Sequence, residues 1–299
     1  MYRVAAGHGV LWAEVSGKFS HEARSSAGYP VVGDWVLTMP DKSGEKSVIN
    51  RMLERKTSLS RKAAGAAHIE QMVAANVDIA FAVFSLKEEM NLNRLERYLT
   101  LIKERGIEPV VLLTKADLCA PEDTEAQKRA VTSVAPDVQV HSLCSKTQEG
   151  VSIVAHCLGG YRTGVLLGSS GAGKSTLINA LVGTELQRVN TVRENDERGR
   201  HTTTARRLVT LANGGMIIDT PGVRELQLWE AGAADAVAFD DIEELMLRCK
   251  FSNCSHKSEP GCKVLAALKD GTLDARRYAN YSKIQRERNA LLPKHKRTR

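Results

Sequence analysis

The chain has 299 residues, a formal net charge of +7, and 42% hydrophobic and 26% charged residues. This length allows two or three domains with separate cores, and no apolar run approaches the roughly 18 to 20 residues of a membrane span, so we expect a multi-domain cytoplasmic protein without a membrane partner. The positive charge favours a polyanionic partner but does not separate nucleic-acid binding from solvated surface charge.

Residues 1–64 contain short β-type segments at 9–15, 31–37 and 47–53, with turn-rich stretches and no helical pattern between them. This pattern predicts a small OB-like β-barrel, a fold that often binds oligonucleotides on one face. Its basic residues either contact RNA or form a solvated rim, and they are Lys18, Arg51, Arg55, Lys56, Arg61 and Lys62.

Residues 65–230 alternate between buried-strand and helical patterns, which predicts an α/β domain. The apolar runs 77–84 and 109–113 are typical of parallel strands buried on both faces, and the helical spacing over 92–102 predicts the crossover between them. The second strand ends in Thr114, Lys115, Ala116 and Asp117, at the carboxyl edge where such sheets bind ligands.

Asp117 is suited to recognise guanine. A carboxylate accepts from both the N1–H and the exocyclic amine of this base, and the stem of Lys115 can cover the purine face. An aspartate after a strand also serves as a helix cap, so the motif alone is weakly specific. After a further strand at 137–142, a backbone N–H of Cys144, Ser145 or Lys146 can meet the guanine O6.

A phosphate-binding loop follows the apolar run 164–167. Its glycines let successive N–H groups face phosphate oxygens, its lysine neutralises the β- and γ-phosphates, and its serine hydroxyl can ligate magnesium. The residues are Gly168, Ser169, Ser170, Gly171, Ala172, Gly173, Lys174, Ser175 and Thr176. The following helix adds the positive end of its dipole to the same anion.

Two further segments fit nucleotide switches. The polar stretch 190–200 leads to His201, and either Thr203 or Thr204 can reach magnesium when a γ-phosphate is present; a Thr-rich strand start is the alternative. Farther along, Asp219 can hold magnesium through its water shell, and the N–H of Gly222 can sense the γ-phosphate.

Residues 231–299 predict a mostly helical domain with a metal site and a basic tail. Cys249, Cys254, His256 and Cys262 form a compact set of three thiolates and one imidazole. Four protein ligands are expected for a structural zinc ion, since a catalytic zinc keeps a position open for water. Helical periodicity extends over 275–292.

These motifs together resemble the RsgA (YjeQ) family of ribosome small-subunit-dependent GTPases. Thr114–Asp117 precedes the phosphate loop, whereas Ras-like GTPases have the reverse order, so the resemblance is to a circularly permuted GTPase. It implies a monomer that acts in late maturation of the small ribosomal subunit, grips rRNA with the barrel and the zinc domain, and hydrolyses GTP to GDP and phosphate under stimulation by the subunit. Thr114 departs from the asparagine that many GTPases have there.

Catalysis would then be an in-line attack of water on the γ-phosphate, stabilised by Lys174 and magnesium. Val223 stands where Ras-like enzymes have the glutamine that orients water, so His201 is the candidate for this role, with an RNA contact as its alternative. The other reading of the whole chain is a nucleotide-gated rRNA-binding checkpoint, in which hydrolysis only resets the affinity.

Overall fold

The computed structural model describes residues 1–7, 9–23, 25–40, 46–63, 66–186, 207–219 and 239–291. Within these ranges the chain forms an N-terminal β unit, a central α/β sheet and a group of C-terminal helices. The predicted fold class is confirmed in each of its three parts.

The N-terminal unit contains a four-stranded sheet and a hairpin. The sheet consists, in spatial order, of β1 (Tyr2–Ala6), β2 (Gly9–Val15), β4 (Ser47–Met52) and β3 (Val36–Pro40). Helix α1 (Gly17–Glu22) follows β2, and the hairpin pairs β5 (Ser58–Ala63) with β6 (Ala66–Ala75). The predicted boundary after residue 64 falls between the two strands of this hairpin, and it remains a prediction.

The strand predicted over 31–37 is wrong except for its last two residues, because β3 begins only at Val36. Before it the chain turns: the Asp34 carboxylate accepts from the N–H of Val31 at 2.7 Å, and Gly33 has a φ of +93°. Asp34 also forms a bidentate ion pair with Arg55, at 2.7 Å for both contacts. Arg55 therefore stabilises this turn. This corrects the prediction that its guanidinium is available to contact RNA.

The central domain is built on a six-stranded sheet in which only the edge strand β11 runs antiparallel to its neighbour. In spatial order its strands are β11 (Arg207–Thr210), β12 (Met216–Asp219), β10 (Thr163–Leu167), β7 (Ile79–Ser85), β8 (Glu108–Thr114) and β9 (Gln139–Leu143). Its helices are α2 (Leu92–Lys103), α3 (Pro121–Val134), α4 (Val151–Cys157) and α5 (Lys174–Leu186).

Helices cover both faces of this sheet. Ala80 and Ala82 of β7 belong to a core with residues of α2 and α3, whereas Phe81 and Val83 of the same strand belong to a second core with residues of α4 and α5. Every residue of β7 is buried as a result. This explains why the strand has a continuous apolar sequence rather than an alternating one.

The C-terminal part contains α6 (Asp240–Leu247), α7 (Lys263–Asp270) and α8 (Ala275–Leu291). The three helices share a small core in which Phe239, Ile242 and Val264 are fully buried. The loop between α6 and α7 holds the predicted metal ligands. None of the helices in the described ranges has the length and apolar character that a membrane span requires.

Candidate nucleotide and metal sites

The predicted nucleotide motifs meet at one edge of the central sheet. Strands β7, β8, β9, β10 and β12 are mutually parallel, so their carboxyl ends lie on the same side. Ser85, Thr114 and Leu143 are direct partners at the ends of β7, β8 and β9. The phosphate loop starts after β10, and Asp219 ends β12 next to it.

The backbone of the phosphate loop depends on its glycines. Gly171 and Gly173 have φ values of +81° and +92°, a region that side chains with a Cβ rarely adopt. A Cβ on Gly168 would lie 2.3 Å from the carbonyl oxygen of Val83, so the loop could not leave β10 so close to β7. The glycine pattern therefore corresponds to steric requirements of the loop.

The cationic and hydroxyl groups of the loop lie at the start of α5. Lys174 is the first residue of this helix, and its Nζ donates to the carbonyl oxygens of Gly168 and Ser169 at 2.7 Å each. Ser175 and Thr176 are exposed in the first turn. This end of α5 thus presents one ammonium group, two hydroxyl groups and the N–H groups of a helix N-terminus.

Thr114 connects the two nucleotide motifs. Its side chain is buried, and its hydroxyl lies 2.6 Å from the carbonyl oxygen of Ala172 and 3.1 Å from that of Phe84. The shorter contact joins the end of β8 to the phosphate loop, 58 residues farther along the chain. The residue that departs from the asparagine of many GTPases therefore joins the two motifs through its own hydroxyl.

Asp117 lies beside the segment at the end of β9. The Cys144 thiol donates to Asp117 Oδ1 at 3.1 Å and accepts from the N–H of Thr147 at 3.4 Å. The N–H of Cys144 is donated to the carbonyl of Glu149 at 2.9 Å. Among the described residues, the N–H groups of Ser145 and Lys146 have no such partner, so they are the remaining donors for a guanine O6.

The backbone conformation of the base-recognition segment also departs from regular structure. Lys115 adopts a left-handed conformation with a φ of +62°, and a short 3₁₀ turn over Ala116–Leu118 follows. Asp117 is exposed in this turn. The turn directs the chain away from the strand and leaves the carboxylate at the open edge of the sheet.

Of the remaining predicted nucleotide residues, Asp219 is the one that lies within the described part of the chain. Asp219 is half-buried as the last residue of β12. His201, Thr203, Thr204 and Gly222 lie outside the described residues.

The four predicted metal ligands converge on one point. Their ligand atoms all lie within 4.8 Å of one another. The Cys249 and Cys262 sulfurs are 3.9 Å apart, and the Nδ1 of His256 is 3.6 and 3.5 Å from them. Zinc bonds of about 2.3 Å to sulfur and 2.0 Å to nitrogen give a tetrahedron with edges of about 3.5 to 3.8 Å. The four residues therefore fit a tetrahedral zinc ion.

Backbone N–H groups surround the sulfurs of this cluster. The N–H of Lys263 donates to the Cys249 sulfur, and that of Leu265 to the Cys262 sulfur, both at 3.4 Å. Burial tends to raise the pKa of the Cys249 thiol, but hydrogen bonds from the backbone of Lys263 and Val264 and from the neighbouring cysteines outweigh it, so the pKa is lowered. Desolvation raises the pKa of the Cys254 thiol to about 11.

Glu259 organises the loop that presents His256. Its carboxylate accepts from the hydroxyl and the N–H of Ser255, and from the N–H groups of Lys257 and Ser258 at 3.0 and 3.1 Å. These bonds, with the Ser255 hydroxyl as the largest cause, hold the pKa of Glu259 well below its ordinary value. The sequence analysis missed this residue, since an acidic side chain in a polar loop has no distinctive pattern.

The fold and the sites define a circularly permuted P-loop GTPase with a Cys3His cluster. The RsgA GTPase family model matches residues 52–229, which is more than half of the chain. The chain belongs to the RsgA GTPase family, and the resemblance and the GTPase activity predicted from the sequence are confirmed.

Individual relatives agree with this assignment. The chain is 43% identical over 288 residues to the "Small ribosomal subunit biogenesis GTPase RsgA 2" of Vibrio parahaemolyticus, covering 95% of this chain and 78% of the relative. It is also 43% identical to the RsgA 1 protein of Oceanobacillus iheyensis over 276 residues, covering 92% and 78%.

Two solved structures share the fold. YjeQ from Thermotoga maritima superposes with a TM-score of 0.67 at 27% identity, covering 94% of this chain and 91% of that protein. YloQ, described as a circularly permuted GTPase, superposes with a TM-score of 0.64 at 26% identity, covering 95% and 88%.

Proposed function

We propose that this protein hydrolyses GTP to GDP and phosphate during late maturation of the small ribosomal subunit, and that the subunit stimulates the reaction. The observation that carries the proposal is the joining of base-recognition strand and phosphate loop at one sheet edge, through the Thr114 hydroxyl. Membership of the RsgA GTPase family and the names of the relatives support the biological setting.

In this proposal GTP lies across the carboxyl edge of the sheet. The residues from Gly168 to Thr176 hold the phosphates, and Lys174 exchanges its loop carbonyls for phosphate oxygens. Asp117 accepts from the guanine N1–H and amine, with its carboxylate oriented by the Cys144 thiol. The N–H groups of Ser145 and Lys146 face the guanine O6.

The hydrolytic step is an in-line attack of water on the γ-phosphate, and Lys174 stabilises the charge that develops on the phosphate oxygens. Magnesium bound with GTP supplies further positive charge there, with Ser175, Asp219 and Thr203 or Thr204 as its expected holders. His201 orients the attacking water, since Val223 has no polar group for that task.

The zinc ion is assigned a structural role. All four cluster positions are protein side chains, so a bound ion has no open position for water. The ion would cross-link the loop between α6 and α7 onto the first turn of α7, where Cys262 is the N-cap residue.

The proposed partner is the rRNA of the small subunit, contacted by the N-terminal barrel and the zinc domain. The net charge of +7 suits a polyanion. We propose that the protein acts as a monomer in the cytoplasm, where subunits are assembled.

The test is GTP hydrolysis with and without purified small subunits, followed by a titration of the His201→Ala variant to saturating subunit. We expect stimulation of the wild type, and for the variant a loss of about 10² or more in stimulated kcat with unchanged GTP affinity. Full recovery of kcat at saturation would make His201 an RNA contact. Absence of stimulation, with nucleotide-dependent subunit binding retained, would favour the checkpoint alternative.

A further inference from the structure

The C-terminal helix α8 contacts helix α2 of the central domain around a buried carboxylate. Only 1% of the Glu96 side chain is exposed. Its Oε1 accepts from Arg277 at 2.8 Å and from Arg276 at 3.2 Å, while its Oε2 accepts from Asn280 at 2.6 Å and from Arg276 at 3.2 Å. Both oxygens of one α2 side chain are thus bonded by α8, about 180 residues farther along the chain.

The arginine side of this contact is held in place by its own domain. Arg277 also forms a bidentate pair with Asp241 of α6, at 3.0 and 2.7 Å, and its guanidinium lies 4.9 Å from the ring centre of Phe239. Burial tends to lower the pKa of Arg277, but the carboxylates of Asp241 and Glu96 outweigh this effect, so the pKa is raised. The guanidinium is therefore already oriented toward the place where Glu96 docks, which lowers the entropic cost of docking.

Among the described residues, the Arg276 side chain contacts α2 and, at a longer distance, one carboxylate of its own domain. Arg276 donates to Asn93 at 2.6 Å and to Glu96, while its Nε is 4.0 Å from Asp274. Asn280 donates in addition to the backbone carbonyl of Asn93 at 3.3 Å. We call Asn93, Glu96, Arg276, Arg277 and Asn280 the α2–α8 latch.

We propose that the α2–α8 latch docks the zinc domain onto the central domain through Glu96, and so sets the orientation of the zinc domain relative to the nucleotide site. A buried carboxylate with two guanidinium partners requires one particular geometry, because any displacement leaves charge buried without a partner. Apolar surfaces tolerate sliding far better. A charged contact of this kind therefore specifies how the two domains are placed.

A consequence follows for work on the subunit, and this step rests on the proposed function. A zinc domain and a barrel that grip rRNA together must be held at a fixed separation by the central domain. Loss of the latch should then weaken stimulation by the subunit while leaving GTP binding largely unchanged, because none of the latch residues belongs to the proposed nucleotide site.

The test compares amide hydrogen exchange in α2 and α8 of the full-length Glu96→Gln and Arg276→Gln variants with that of the wild type. We expect exchange in α8 to become about tenfold faster or more in both variants, with GTP affinity within about twofold. Glu244→Gln is the matched control, because it removes a carboxylate of the same domain that forms an exposed ion pair with Arg248 and is not part of the latch. It should leave exchange in both α2 and α8 at the wild-type rate.

Unchanged exchange in α8 of both variants would overturn the latch, whatever the subunit does. Faster exchange together with wild-type subunit-stimulated kcat/KM would support docking by the latch and overturn its role in orienting the zinc domain. If wild-type protein is not stimulated by subunits at all, the proposed function fails, and the exchange data still decide whether the latch exists.

Discussion

At the scale of single residues, the proposed guanine selection depends on the Asp117 carboxylate, which accepts a hydrogen bond from the Cys144 thiol. We expect Asp117→Asn to weaken GTP binding and strengthen binding of xanthosine triphosphate, because xanthine has a carbonyl where guanine has its amine. Competition binding with both nucleotides measures the change. Cys144→Ser is the control that keeps a donor to the carboxylate, and an unchanged preference in Asp117→Asn would remove this residue from the base site.

Thr114 gives a second prediction at this scale, because its hydroxyl joins β8 to the phosphate loop. Thr114→Val preserves the shape but leaves the buried carbonyl of Ala172 without its donor, which should cost about 1 to 3 kcal/mol in the free energy of unfolding. Urea unfolding with parallel GTP titration checks both stability and affinity. Thr114→Ser should behave like the wild type; equal losses in the two variants would mean that the methyl group, not the hydroxyl, matters.

At the scale of elements, the metal cluster should decide whether the loop before α7 folds. We expect about one zinc ion per chain, lost in Cys254→Ala together with the order of that loop, while nucleotide binding stays mostly intact. Metal analysis and hydrogen exchange measure these effects. Cys157→Ala, which removes a thiol of the central domain, is the control. Stoichiometric zinc in a triple variant of Cys249, Cys254 and Cys262 would refute the ligand set.

Glu259 makes the same loop sensitive to pH. Its folded-state pKa lies below the ordinary value of 4.5, so its stabilising contribution is fully present above that value and is lost as the pH falls toward the folded-state pKa. Glu259→Gln should lower the Tm of the zinc domain at pH 7, and the difference from wild type should shrink below about pH 4.5. Glu244→Gln, at an exposed ion pair of the same domain, should show no such difference.

At the scale of the whole molecule, we expect rRNA binding to be electrostatic. The affinity should fall log-linearly with salt, by a slope of about 0.7 to 0.9 for each phosphate contact. Lys56→Ala should reduce that slope by about one if the exposed barrel cations touch phosphates. Arg55→Ala is a contrasting variant, because it breaks the ion pair with Asp34 and should destabilise the barrel instead. Binding that is insensitive to salt would indicate a protein partner.

The sequence by itself determined the central sheet and the residues that make up the candidate sites. A strand covered on both faces must be apolar throughout, so β7 and β8 were predictable to within two residues of their observed bounds. The phosphate loop and the Cys3His set were predictable for a related reason. Each needs particular residue types at a fixed local spacing, and that spacing can be read directly from the amino-acid sequence.

Only the tertiary structure decided which polar side chains meet. The hydroxyl of Thr114 and the carboxylate of Glu96 find their partners 58 and about 180 residues away, at distances set by how sheets and helices pack. Asp34 is a third example. Its ion pair with Arg55 stabilises a turn in a segment whose apolar sequence predicts a strand. A buried polar side chain requires a hydrogen-bond partner. The local sequence does not identify that partner, because the pairing depends on long-range packing.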